Sequence, residues 1–566
     1  MSIRYLLPFV LLGSIASAQT PVYITQLGGT AMDQGGGVAI GPNNEHYFTG
    51  SVIAPADLDL GGPGGTVSST GNADIFLTKR ASDGTFEWGF TVGGSSLDEG
   101  IDLAIASNGD VIVTGTFYTS ADMDPGPGDG TIVDNGSNPS SPSTFIARYT
   151  DQGQFVWAKQ FSGINAGSYV STIAIDDIDR MYLTGWFDGP VDFDPSLNFN
   201  VINYIGNSSD AFVCALDDSG DFLWAKLIGG TASTWGLDIG VNAAGEVLVG
   251  GWHMGGTCDL DPGMATVEYS TPANKKSGWA VKLDNSGNYL WSADFGGNDQ
   301  CSVNAVMFAP NGAAFLGAGF RGTYDVDPGP AIDSLASEAY LDGLVIKLNG
   351  TDGQLIQYHH LGGSFSNPVE RFAKANDGTF YYSGQGGISE DFDPGPGVVQ
   401  IMSTLRTVTC HYDTAFAFLG VYGIEVWSNS FEQDMAVDLD GNVVAVGYFN
   451  NSGDFDPSAN TLTLSTLGDW DVYISSIGDL PTGIRPDMAH SAGPTVAPNP
   501  GSGSFTLSLP AHTERLDVVD EDGRLVKQMR TSSTSATLDL TTERKGVYFI
   551  RAVGKASVHV VRVVVQ

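Results

Sequence analysis

Residues 391–397 read DFDPGPG, and nearly the same string returns as DMDPGPG (122–128), DLDPG (259–263) and DVDPGP (325–330). The aspartate pair recurs at Asp57/Asp59, Asp122/Asp124, Asp192/Asp194, Asp259/Asp261, Asp325/Asp327, Asp391/Asp393 and Asp454/Asp456. The steps between first aspartates are 65, 70, 67, 66, 66 and 63 residues. A fixed period of this size signals a stack or ring of supersecondary units. Two other phrases keep the beat. One is a run ending in glycine (HYFTG, VIVTG, MYLTG, VLVGG). The other is a strand, a turn and an aromatic strand, as in DAFVCALDDSGDFLWAKLIGG (210–230).

Each unit thus carries four short β-patterned runs, a to d, parted by Gly, Asn and Asp turns. In the third unit they are YVSTIAID, MYLTGWF, AFVCALD and FLWAKLI. Four strands repeated radially describe a β-propeller blade, and seven copies predict an all-β, seven-bladed propeller over residues 19–478. The last unit stops after its third strand, WDVYISSIG, while an orphan VYITQLGG (22–29) near the N-terminus matches strand d. The N-terminal strand is therefore expected to complete the last blade and remove a sheet edge.

The 566-residue chain has a formal charge of -39, with 75 glycines and only 25 lysines and arginines. A nucleic-acid phosphate backbone needs a basic footprint, so that partner is excluded, as is an anionic membrane surface. The start, MSIRYLLPFVLLGSIASAQT, has a basic residue, an apolar run and Ala16-Ser17-Ala18. It reads as a signal peptide over residues 1–18. After it comes no apolar run long enough for a transmembrane helix. Export permits disulfides. Of Cys214, Cys258, Cys301 and Cys410, the sequence leaves Cys258 and Cys301 as the candidate pair.

DLPTGIRPDMAHSAGP marks a linker over 479–494, after which the charge changes sign. Residues 495–566 hold seven acids and nine bases, leaving a balance of -41 for the rest. Such a break marks a domain boundary. The alternating runs SFTLSL, RLDVVD, LVKQMR, ATLDL and GVYFIRA predict a small β-sandwich.

Two resemblances add to this reading. The phrases DAFVCALDDSGDFLW and GWAVKLDNSGNYLW resemble the bacterial SBBP β-propeller repeat, over about residues 20–478. The sixth unit, TVTCHYDTAFAFLGVYGIEVW, departs from it: the turn and the tryptophan register are lost. That family implies a fold and no fixed activity. The phrases APNPGSGSFTLSL, LDVVDEDGRLV, LDLTTERKGVYFIRA and the final VRVVV resemble the type A C-terminal sorting domain of the type IX secretion system of Bacteroidetes. This resemblance implies handling by the type IX machinery, and a secreted or cell-surface destination.

The aspartate phrase follows strand b, in a long connection on one rim of the expected ring, where function usually sits. Two readings stay open. Paired carboxylates can converge on a hard cation, which makes Asp122, Asp124, Asp192, Asp194, Asp259, Asp261, Asp325, Asp327, Asp391, Asp393, Asp454 and Asp456 candidate calcium ligands. The same residues can instead accept backbone N–H groups in an Asx-type turn before Pro-Gly. Asp83, Asp151, Asp217 and Asp284 are expected to cap the c–d turn, and Trp88, Trp157, Trp224 and Trp291 to pack between blades. Trp186, Trp235 and Trp252 break the repeat and are candidates for a contact surface. His359 and His360 share a strand, so alternation sends their rings to opposite faces. No catalytic or organic-cofactor motif is present. The sequence therefore predicts an exported, non-catalytic propeller that binds a protein or polysaccharide. The alternative is a secreted carbohydrate-active hydrolase using carboxylates in the funnel.

Overall fold

The computed structural model describes residues 19–478 and 495–565, apart from short stretches of which 135–140, 387–390, 394–398, 400–406 and 498–501 are the longest. The expected signal peptide (1–18) and linker (479–494) lie outside the described residues. The chain divides into two compact units, Met1–Asp479 and Leu480–Gln566. Among the described residues there is no helix; the regular structure is all β.

The larger unit repeats one antiparallel ladder. In the third repeat strand a is Ser168–Ile175, b Met181–Phe187, c Asp210–Leu216 and d Phe222–Gly230. Strand a pairs with b, b with c, and c with d. The same a-b-c-d order recurs in all seven repeats. The last repeat takes its d strand from the N-terminus: Thr20–Gly29 pairs antiparallel with Thr463–Gly478, with Leu27 opposite Val472. Each first strand packs against the next, and that of the seventh repeat, Ser430–Val437, against that of the first, Gln34–Ile40.

The burial pattern explains the composition. Strands b and c are buried on both faces, as in His46–Val52 and Asp74–Arg80. They therefore read as continuous apolar runs, the pattern of strands covered on two sides. Strand d is the half-exposed outer edge. The core is a set of clusters that straddle successive repeats. One joins Ile146, Ile112 and Phe161 to Leu183, Phe187 and Phe212; another joins Val444, Val446 and Val472 to Val38, Phe48 and Phe76. A single repeat cannot bury both faces alone, so stability resides in the neighbour contacts.

The c–d turn shows how one residue type is forced. Gly153, Gly220, Gly287 and Gly353 sit at φ of +73 to +75, and a Cβ on each would meet the indole of Trp88, Trp157, Trp224 or Trp291 from the preceding repeat, at 2.8–3.3 Å. Three of those indoles donate to main-chain carbonyls of the next repeat: Trp88 to Asp151 (3.2 Å), Trp224 to Asn285 (3.1 Å) and Trp291 to Gly350 (3.1 Å). Asp217 and Asp284 cap their turns as expected, each accepting two backbone N–H groups on Oδ1. In the second repeat Thr150, not Asp151, takes that place, because the Asp lies one residue on. The irregular sixth repeat puts Phe416 at φ 69, held by burial against Phe315 and Phe380.

The four cysteines are buried, and Cys258 and Cys301 are not bridged. Cys258 accepts from Thr234 Oγ1, and Cys301 meets the Tyr324 hydroxyl at 2.9 Å.

The smaller unit has a three-stranded and a four-stranded sheet. Phe505, Leu507 and Leu538 from one meet Leu516, Val518 and Ile550 from the other in a common apolar cluster.

Candidate functional site

The aspartate phrase makes the same turn seven times. The first aspartate's Oδ1 accepts the N–H of the second: Asp59 to Asp57 (2.9 Å), Asp124 to Asp122 (3.1 Å), Asp194 to Asp192 (3.1 Å), Asp261 to Asp259 (3.0 Å), Asp327 to Asp325 (3.2 Å), Asp393 to Asp391 (3.1 Å) and Asp456 to Asp454 (3.1 Å). In six copies the same oxygen also accepts the N–H eight residues on, as from Val267 to Asp259 at 2.8 Å. In five copies the second aspartate accepts an N–H two residues further, as Gly263 does to Asp261 at 2.7 Å. The residue between the aspartates is fully buried in every copy: Leu58, Met123, Phe193, Leu260, Val326, Phe392 and Phe455. The phrase is thus an apolar plug held by a double carboxylate turn. The sequence signal for the plug is the apolar residue that stands between the two aspartates in all seven copies.

Calcium takes six to eight oxygens. Each phrase offers two carboxylates, and in five copies both Oδ1 atoms already accept backbone N–H groups. Among the described residues no three His, Cys, Asp or Glu side chains come together in a way that could hold a metal. The donor set does not fit a calcium ion by itself.

Aspartates of a different kind line the inner strands. Asp102 Oδ2 accepts from Thr172 Oγ1 (2.7 Å) and the Ile173 N–H (2.9 Å), Asp238 accepts from the Val306 N–H (2.6 Å), and Asp434 from the Val38 N–H (2.9 Å). Each bond runs from one repeat to the next, and the last links the seventh to the first. Ser171 to Gly236 and Asn304 to Val369 make two further links. Burial raises all three carboxyls, Asp238 to about 6, with Arg371 opposing.

The non-repeating tryptophans come together. Tyr169 faces Trp186 across strands a and b of the third repeat, and Trp235 faces Trp252 at the same positions of the fourth, whose strands are Ser233–Val241 and Val247–Asp259. The rings form one row. Tyr169 and Trp186 stack at 5.6 Å and 12°, Trp186 and Trp235 at 4.8 Å and 11°, and Trp235 and Trp252 lie 4.8 Å apart at 38°. Lys276 Nζ closes the row 4.0 Å from the Trp252 ring centroid, a cation–π distance. Trp252 is buried, and the other three rings are half-exposed. In the seventh repeat the same cross-strand place holds Phe431 and Tyr448, 5.4 Å apart, with Trp470 alongside. The first, second and fifth repeats carry Gln34/Ser51, Glu99/Thr116 and Ser302/Gly319 there, so the aromatics depart from the repeat and are not demanded by it. His359 is buried and His360 turns out to Asp342, at 2.8 Å, which separates the two rings.

Comparison with known proteins adds the following. An uncharacterized WD repeat-containing protein of Acanthamoeba polyphaga mimivirus is 26% identical over 211 residues, 33% of this chain; the chain spans 14% of that protein's length. Solved structures align at low similarity. A protein of unknown function from Dyadobacter fermentans has 13% identity and a TM-score of 0.37, covering 82% of this chain and all of that one. PorZ, a surface component of the type IX secretion system of Porphyromonas gingivalis, has 11% identity and a TM-score of 0.19, covering 96% of this chain and all of that one. No helix among the described residues is long and apolar enough to cross a membrane. Residues 495–566 match the family of secretion system C-terminal sorting domains. The chain therefore ends in a type IX sorting tail, which indicates export to the cell surface or the medium.

Proposed function

We propose that residues 19–478 form a closed seven-bladed β-propeller that binds an extracellular polysaccharide along the row Tyr169–Trp186–Trp235–Trp252. The cycle of inner-strand contacts and the N-terminal strand on the last ladder support the closed ring. The signal peptide at 1–18 starts the export and the tail, as a β-sandwich read by the type IX machinery, completes it. The observation that carries the binding reading is the row itself: four rings from equivalent positions of two adjacent repeats, three of them half-exposed, ended by a lysine. Such a surface presents apolar ring edges, with the Trp235 N–H spent on Ser209 Oγ at 2.9 Å, and aromatic side chains contribute large contact area at low entropic cost. The reading is non-catalytic, because the inner aspartates spend their oxygens on backbone N–H groups that tie repeat to repeat. The aspartate phrases act as turns that seat the apolar plugs, with calcium as the reading to be tested against this.

The experiment is a glycan array of the exported protein beside a panel of chromogenic glycosides. Retention of one polysaccharide class, lost on Trp186→Ala, is expected. Turnover of a glycoside, abolished by a single carboxylate change, would replace binding by hydrolysis, and protein capture with an empty array would replace the glycan by a protein partner.

A further inference from the structure

The sixth repeat, which departs from the pattern in sequence, also departs in structure. Between its inner strands, Val369–Lys374 and Phe380–Gln385, and the first strand of the seventh repeat lies a cavity of about 230 Å³. Glu370, Arg371, Ser383, Phe431, Glu432 and Gln433 are among the residues that line it. Glu432 pairs with Gly447 across the ladder. At the equivalent place the other repeats carry Gly35, Gly100, Val170, Gly236, Val303 and Val369. A glutamate at a position otherwise held by glycine or valine is not required by the fold.

The charges around the cavity do not balance. Arg371 spends Nε on the Gln433 carbonyl and Nη1 on the Glu370 carbonyl, at 2.8 Å. It thus ties two inner strands together through the main chain. Oε1 of Glu432 is buried without a well-aligned donor; the Ser383 hydroxyl beside it favours the ionised carboxylate but does not meet that geometry. Burial raises Glu432 to about 7, with Ser383 and Arg371 opposing, and it raises Glu370 as well. Burying a carboxylate with unmet acceptors is costly unless a cation and hydrogen-bond donors arrive together. A bare metal ion would need more oxygens than this wall supplies, and no metal-type cluster occurs among the described residues. An ammonium group brings one charge and three donors. Phe431, 37% exposed and packed beside Tyr448 and Trp470, is also among the lining residues.

We propose that this cavity is a binding site for a primary ammonium group, carried by a small amine or by a lysine side chain of a partner. It is independent of the aromatic row on the third and fourth repeats.

The test is calorimetric titration of the full chain with n-butylammonium chloride, with n-butanol as the uncharged control and Nα-acetyl-lysine methylamide as the side-chain arm. Saturable binding of at least one ammonium probe and none of butanol is expected. Glu432→Gln, near in shape to the neutral acid, should weaken binding tenfold or more, while Trp235→Ala leaves it unchanged. Binding should also be several-fold tighter at pH 8 than at pH 6, as Glu432 ionises facing Arg371, Glu370, Ser383 and Tyr473. If Glu432→Gln does not fold, Glu370→Gln and the pH profile of the unaltered chain carry the test. A preference for butylammonium assigns a small amine, and a preference for the lysine derivative assigns a protein side chain. No saturable heat from either ammonium probe, equal binding of butanol, or full affinity in a folded Glu432→Gln would overturn the proposal.

Discussion

Gly353→Ala should destabilise the protein well beyond what its backbone conformation alone explains. Gly353 sits at φ +73, and a Cβ there would lie 2.8 Å from Cε3 and 2.9 Å from Cδ2 of Trp291. Trp291 is 5% exposed and pinned by its hydrogen bond to Gly350, so it cannot swing away. The left-handed conformation costs a non-glycine residue roughly 1–2 kcal/mol. Forcing a methyl into a packed aromatic contact adds roughly 1–3 kcal/mol. Gly312 separates the two terms. It has φ +81 and nothing within 4 Å of its Cβ position. Gly312→Ala thus pays the conformational term alone, partly offset by the stiffer unfolded chain. Equilibrium urea unfolding by tryptophan fluorescence, at equal slope, should place Gly353→Ala about 2 kcal/mol below Gly312→Ala. In a Trp291→Leu background the difference should shrink. Equal destabilisation of the two variants would refute the claim that the turn glycine exists to seat the neighbour's indole.

Two further outcomes follow from the carboxylates. Asp259→Asn keeps an Oδ1 that can accept from both Asp261 and Val267, so it should cost under ~1 kcal/mol, whereas Asp259→Ala orphans two N–H groups and should cost about 1–3 kcal/mol. Chelator should leave the thermal melt in place; a drop on chelation, with Asp259→Asn as damaging as Asp259→Ala, would favour calcium. Burial raises Asp33 and Asp98 to about 6 from a usual value of 3.8. A carboxyl whose folded value is raised contributes stability that is whole below the unfolded value and lost as pH rises through the folded one. Urea midpoints should therefore fall between pH 4 and pH 7, and Asp98→Asn should flatten that fall.

The repeat was legible because strand order, turn glycines and the tryptophan register are local constraints that each unit must satisfy again. The orphan VYITQLGG likewise pointed to its own place, since a d strand without a c strand has one partner available. The row of rings was legible in part. Trp186, Trp235 and Trp252 stood out as departures, yet Tyr169 and Lys276 did not, because what selects them is cross-strand register and the neighbouring repeat. Asp151 misled because aspartate one residue late in the turn looks like a cap in one dimension. Glu432 and Arg371 were missed outright. Their meaning lies in comparison with glycine and valine at the same ladder position, and the bulge in strand a hides that alignment until the pairing is known.

The most direct measurement is affinity electrophoresis of the exported chain and its Trp235→Ala variant through gels containing the polysaccharide selected on the array. Trp235 is the middle of the row, touching rings on both sides. Its removal should weaken retention at least tenfold, about 1.4 kcal/mol, with the melt of the variant showing a folded chain. Equal retention of the folded variant and the unaltered chain would contradict the assignment of this surface to the ligand.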